Sequence, residues 1–108
     1  LHNMCPAIIL KNGKNHTALG GRGGRKIPNA AFEVMYQLTM ANKSLKDAIA
    51  SPRIHTEGNL EVDLEAPFGK EKLEALKAFG LHAKTGASAV VSATSVENGV
   101  SSPTMAMR

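Results

Sequence analysis

Six residues, Gly20-Gly21-Arg22-Gly23-Gly24-Arg25, hold four of the ten glycines of this 108-residue chain. They stand between a stretch that reads as strand and one that reads as helix. Ordering glycine costs more backbone entropy than ordering any other residue, so a dense run needs a reason. Glycine lets the backbone adopt φ > 0 and come close to another group. Successive N–H groups with a helix start behind them can cradle a phosphate, a carboxylate or a developing oxyanion. A plain surface loop ahead of a helix is the alternative. Whatever folds around this run must deliver a strand to one side of it and a helix to the other.

The flanking pattern supplies both. Ala7 to Lys11 is a short apolar run, followed by Asn12-Gly13 and then by Lys14 to Leu19. Asn-Gly between two such runs is a strong hairpin signal, because a type I′ turn needs φ > 0 at both central positions. Strands are expected over 6–11 and 14–19. After the glycines, Pro28 suits the first turn of a helix. Ile27, Ala31, Val34, Met35 and Leu38 follow helical spacing to an end near Ala41-Asn42. Ser44 with Asp47 three residues on resembles a capping box, and its short helix, carrying Leu45, Ala48 and Ile49, stops at Pro52. Arg53–Thr56 and Asn59–Leu64 read as extended, the second with Leu60, Val62 and Leu64 alternating with Glu61 and Asp63. Gly69–Phe79 is helical, with Leu73, Leu76 and Phe79 on one side and Gly80 as the stop. Ser88–Val96 is a strand of small and β-branched residues, and Asn98-Gly99 offers a second hairpin. The order predicts an α+β fold, a largely antiparallel sheet with helices on one face, in a single domain or a fragment of one spanning 1–108.

Composition narrows the function classes. The formal net charge is +4, and Lys11, Lys14, Arg22, Arg25 and Lys26 fall early in the chain. This permits an anionic ligand or an acidic partner surface. One cysteine, Cys5, excludes an internal disulfide and reads as a small core residue. No apolar run approaches a membrane span. The chain opens on Leu1, as expected of a piece cut from something longer; the compartment is therefore unknown.

Other chemistry is thinly represented. A phosphate-binding Walker loop needs Lys and then Ser or Thr after its last glycine, whereas Gly24 is followed by Arg25-Lys26-Ile27. The preceding hairpin also argues against a dinucleotide fingerprint. An RNA contact through Arg22 to Arg25 lacks aromatics for stacking, so no nucleic-acid partner is expected. His2 and Cys5 have no second ligand pair nearby, and His16, His55 and His82 are scattered. No metal or cofactor is expected. Glu61, Asp63 and Glu65 share a strand face, read as solvated because nothing apolar is interleaved.

Met4 to Ile27 reads Met-Cys-Pro-Ala-Ile-Ile-Leu-Lys-Asn-Gly-Lys, then Ala18-Leu19-Gly20, then Gly23-Gly24 and Ile27. This closely resembles the C-terminal half of the small subunit of the γ-glutamyltranspeptidases. There, a Ser-Ser-Met-x-Pro segment leads through two strands to Gly-Ser-Pro-Gly-Gly-Ser-Arg-Ile. Ser51-Pro52-Arg53-Ile54-His55 is similar to the family's Ala-Pro-Arg-Phe-His, Leu60 to Glu65 to its following strand, and Gly99 to Pro103 to its closing segment. The resemblance implies a portion of the αββα sandwich of the N-terminal-nucleophile hydrolases. It implies an acyl-enzyme on a threonine that would lie upstream of Leu1, with Gly23 and Gly24 donating backbone N–H groups to the oxyanion. It implies as partners the remainder of the parent protein and a small γ-glutamyl or related amide substrate. His2 and Asn3 stand where the family has the serines that hold the substrate's α-carboxylate. Arg22 and Arg25 replace a proline and a serine beside the glycines. These four are the candidate substrate-binding residues. A non-catalytic, anion-binding domain derived from the family is the alternative.

Overall fold

In a computed structural model, which describes residues 5–96 and 104–108, the chain divides into two compact units. One comprises Leu1–Ser51 and Ala89–Arg108, the other Pro52–Ser88. The smaller unit is thus an insertion in the sequence of the larger.

The larger unit opens on the expected hairpin, β1 (Ala7–Lys11) and β2 (Lys14–Arg22). Asn12 and Gly13 both have positive φ, 54° and 77°, the pair a type I′ turn requires. A bulge between Ile9 and Leu10 shifts the register near the turn. β2 runs through Gly20, Gly21 and Arg22 rather than ending at Leu19. The reason lies far along the chain: β6 (Val90–Ser95) pairs antiparallel with β2 from Thr17↔Ser95 to Arg22↔Val90. Gly20 and Gly21 are therefore ladder residues, beyond the strand end expected at Leu19. β7 (Thr104–Met107) closes a four-stranded sheet of order β1-β2-β6-β7. The second Asn-Gly turn, Asn98-Gly99, lies outside the described residues.

Two helices cover one face of this sheet. α1 (Ile27–Thr39) follows a 3-10 turn at Gly24–Lys26 and carries Pro28 in its first turn, where a missing N–H is no loss. It ends at Thr39, two residues short of the sequence estimate. α2 (Leu45–Ala50) is capped as expected, the Ser44 hydroxyl accepting from the Asp47 N–H at 3.2 Å. Ile27, Ala30, Ala31 and Val34 of α1 and Leu45, Ala48 and Ile49 of α2 bury against Leu19, Val91 and Ala93 of the sheet. Small residues predominate at this seam, which lets helix and sheet approach closely. Cys5 is half-buried beside the same core. Arg108 joins the two layers: its backbone exchanges hydrogen bonds with Val91, and its guanidinium donates to the carbonyls of Ile49 and Ser51 at 3.3 and 3.4 Å.

The opposite face of the sheet carries no described helix. Strand alternation puts Leu19 on the helix side and Gly20 and Arg22 on the open side. Ile8 and Met107, each 66% exposed, stand on this open side.

The smaller unit is a three-stranded sheet, β3 (Ile54–Thr56), β4 (Glu61–Leu64) and β5 (His82–Thr85), with α3 (Gly69–Ala78). β3 and β4 are antiparallel; β4 and β5 are parallel, joined by the helical crossover that such a pair requires. β5 was absent from the sequence reading. Val62, Leu64 and Ala83 bury beside Leu73 and Leu76. Together the described elements make the expected α+β fold, antiparallel apart from the β4–β5 pair.

Candidate functional site

β2, the glycine pair and α1 meet at one end of the larger sheet. Gly23 has φ 132° and ψ 20°, a conformation that side-chain-bearing residues rarely adopt. Gly24 has φ 66°, in the left-handed region. Two consecutive positive φ values turn the chain sharply from the end of β2 into the helical turn at Gly24–Lys26. A Cβ on Gly23 would stand 2.9 Å from both Cα and Cβ of Ala89, closer than real Cβ atoms come. Gly21 is also confined: a Cβ there would meet the Val90 carbonyl at 3.1 Å and Ile27 Cγ2 at 3.2 Å. Gly23 is thus required twice, by its dihedral and by the approach of Ala89 just before β6, whereas Gly24 is required by its dihedral and Gly21 by contact.

The result is a backbone corner at the head of a helix. The leading N–H groups of a helix have no partner within it, and the peptide dipoles add partial positive charge there. Arg22, on the last position of β2, and Arg25, on the helical turn, are both exposed. The sequence cluster of basic residues is divided by the fold. Lys11 and Lys14 flank the hairpin turn, and Arg22 lies at the far end of β2, roughly 26 Å away along an extended strand. What remains at the corner is Arg22, Arg25 and Lys26. His2 and Asn3 lie outside the described residues. The corner can hold negative charge by backbone donors, reinforced by guanidinium groups.

The smaller unit has a polar cleft of its own, of about 160 Å³, lined by His55, Glu57, Glu61, Asp63 and Lys84 among others. His55, Asp63 and Lys84 are register partners across β3, β4 and β5. His55 is buried, with Nε2 3.4 Å from Glu57 Oε2. Lys84 Nζ is 3.7 Å from Asp63 Oδ1, and Asp63 is only 18% exposed in its side chain. Glu65 is also engaged, Oε1 accepting from the Arg53 N–H at 2.7 Å. The Glu61–Asp63–Glu65 row is therefore not a uniformly solvated face: cross-strand pairing takes Asp63 out of water, and the turn into β3 claims Glu65. Among the described residues no group of three or more His, Cys, Asp or Glu could hold a metal ion. His16 is hydrogen-bonded to the Thr17 hydroxyl at 2.7 Å. Among the described residues no helix is long and apolar enough to cross a membrane.

The sequence profile of the γ-glutamyltranspeptidase family matches residues 1–106, and the chain belongs to that family. A glutathione hydrolase proenzyme of Pseudomonas aeruginosa is 30% identical over 84 residues, which is 74% of this chain and 15% of that protein. The acylase ACY 1 proenzyme of a Pseudomonas species is 33% identical over 78 residues, 72% of this chain and 14% of its own length. The chain thus spans about one seventh of these curated relatives. A γ-glutamyltranspeptidase structure from Pseudomonas nitroreducens superposes with a TM-score of 0.84 at 24% identity, covering 99% of this chain and 57% of that one. The fold is accordingly a portion of the αββα arrangement of the N-terminal-nucleophile hydrolases. In that arrangement the helix-free side of a sheet is the side that packs on a second sheet.

Proposed function

We propose that this chain works as the C-terminal part of a γ-glutamyltranspeptidase-like hydrolase or acyltransferase, supplying an oxyanion loop and part of the substrate pocket. The reaction would cleave a γ-glutamyl or related amide bond, through an acyl-enzyme on a threonine outside these residues. The observation that carries this reading is the corner at Gly23-Gly24: two positive-φ glycines between a strand end and a helix start. Tetrahedral intermediates of acyl transfer place a full negative charge on one oxygen. Backbone donors fixed in advance stabilise it without reorganisation, each contributing about 10²–10³ in turnover in comparable sites. Gly23 and Gly24 are the proposed donors. His2, Asn3, Arg22 and Arg25 are the proposed contacts to the rest of the substrate. The remainder of the parent protein is the proposed partner, contributing the nucleophile.

The test is Gly24→Ala in the longer polypeptide that carries this segment. Alanine tolerates the left-handed region at a cost of about 1–2 kcal/mol, so the fold survives, whereas a β-branched residue would not be accommodated. The methyl group disturbs the cradle. Turnover of a γ-glutamyl anilide should fall by about 10²-fold with little change in KM. Unchanged turnover in a folded variant refutes the oxyanion role.

A further inference from the structure

We infer that Asn12 is a modification site. Its side-chain amide is lost to water through attack by the Gly13 backbone nitrogen, leaving iso-aspartate and aspartate at the tip of the β1–β2 hairpin. The inference is independent of the acyl-transfer reading.

Ring closure needs an attacking N–H that no hydrogen bond holds, a following residue with no side chain to crowd the approach, and access for water. The hairpin tip supplies all three. Lys11↔Lys14 is the last pair of the ladder, so the Gly13 N–H lies outside it. Nothing lies within 4 Å of a Cβ built on Gly13. Asn12 and Gly13 are both exposed. A backbone set at φ 54° and 77° must swing before the nitrogen reaches Cγ of Asn12, so the tip has to open briefly. Opening is local here. β1 is an edge strand, and the bulge between Ile9 and Leu10 leaves only two pairs between itself and the turn. Such segments, with exposed backbone and few buried contacts, open at little cost in free energy.

The other described asparagines each fail one of these conditions. Asn15 is paired with Leu10 and is followed by half-buried His16. Asn29 precedes Ala30, which is fully buried. After Asn42, the Lys43 N–H donates to the Gln37 carbonyl at 3.0 Å. The Asn59 side chain is itself held, Oδ1 accepting from the Glu61 N–H at 3.0 Å, and Leu60 follows it.

The step balances with water alone. Hydroxide takes the proton of the Gly13 N–H, the nitrogen bonds to Cγ of Asn12, and the Cγ–Nδ2 bond breaks. Ammonia leaves with a proton from water, and a five-membered imide remains. Water then opens the imide at either carbonyl. One opening gives aspartate with the main chain unchanged; the other routes the main chain through Cβ and Cγ. Lys11 and Lys14 flank the turn, and their charges favour both the nitrogen anion and the new carboxylate. The formal net charge falls by one from +4. Iso-aspartate also adds a main-chain atom to a turn built for two residues of positive φ, which loosens the end of β1.

The experiment incubates the folded parent protein in mildly alkaline buffer and digests it with pepsin in acid. Mass spectrometry reads each asparagine, and isoaspartyl methyltransferase labelling separates iso-aspartate from aspartate. Asn12 should convert at least about tenfold faster than Asn15, Asn29, Asn42 or Asn59, with iso-aspartate in excess. Gly13→Ala keeps the hairpin but puts a methyl group beside the attacking nitrogen, and should slow Asn12 by roughly tenfold. Conversion of Asn12 at the wild-type rate in that variant overturns the inference, as does faster loss at any of the four other asparagines. So does survival of Asn12 in the folded protein while a peptide spanning 9–16 converts, because the turn would then hold the nitrogen off Cγ.

Discussion

Gly23→Ala should be the most damaging single-methyl change at the candidate site, and its cost can be worked from the structure. At φ 132° and ψ 20° the backbone is in a region that alanine populates rarely, for which about 1–3 kcal/mol is typical. The new Cβ would stand 2.9 Å from Ala89 Cα and Cβ. Ala89 Cα is backbone and cannot rotate away, so the chain just after β2 and just before β6 must move apart, adding about 1–3 kcal/mol of overpacking. Reduced freedom of the unfolded chain returns about 0.4–1 kcal/mol. The net loss is about 1–5.5 kcal/mol, centred at roughly 3 kcal/mol. Gly13→Ala is the control: its φ is also positive, 77°, but nothing lies within 4 Å of a Cβ there. Only strain applies, largely offset by the same entropy gain, so the loss is under about 1.5 kcal/mol. With a urea slope of about 2 kcal/mol/M, Gly23→Ala should lower the unfolding midpoint by about 1 M or more, Gly13→Ala by well under 1 M. Equal midpoints for the two variants would refute the claim that contact with Ala89 explains the glycine at position 23.

Two further outcomes follow from other parts of the chain. Ser44→Ala removes the side-chain acceptor that caps α2 through the Asp47 N–H, and should cost about 1 kcal/mol in denaturant unfolding; a loss below about 0.3 kcal/mol would show that the helix is held by packing alone. The helix-free face of the larger sheet, with Ile8 66% exposed, should make these 108 residues self-associate when expressed alone, and Ile8→Lys should raise the monomer fraction in sedimentation velocity; a monodisperse wild-type monomer would overturn that expectation.

Local chemistry was legible in the sequence and long-range pairing was not. The hairpin at Asn12-Gly13, the proline-led start of α1, the Ser44 cap and the Gly80 stop each depend on residues within a few positions of one another. The apolar spacing of Ile27, Ala31 and Val34 identified the buried face of α1 for the same reason. The extension of β2 through Gly20-Gly21-Arg22 could not be read locally, because glycine is a poor strand former. It is a strand there only because Val90–Ser92 supplies the partner. β5 was missed because His82, Lys84 and Thr85 are exposed and only Ala83 is buried, which leaves no alternation to detect. At the candidate site the glycines announced themselves by density. What the sequence withheld was the division between them: Gly20 and Gly21 belong to the ladder, and Gly23 and Gly24 make the corner. The separation of Arg22 from Lys11 and Lys14 was likewise invisible until β2 placed them at opposite ends.

The insertion of Pro52–Ser88 between α2 and β6 has a consequence for synthesis. β2 faces β6 in a register that pairs Thr17 with Ser95. On a ribosome the two are separated by roughly eighty residues, which at about 5–20 residues per second amounts to roughly 4–16 s. For that interval the β2 edge of the β1–β2 hairpin waits for its partner, and that edge includes Gly20, Gly21 and Arg22. The intervening unit has its own small core, so it can collapse while the hairpin waits. The glycines at the end of β2, poor in strand propensity and without apolar side chains, make that waiting edge a weak template for pairing with other nascent chains. The ladder glycines, distinct from the pair that makes the corner, thus weaken the unfinished edge as a template for aggregation.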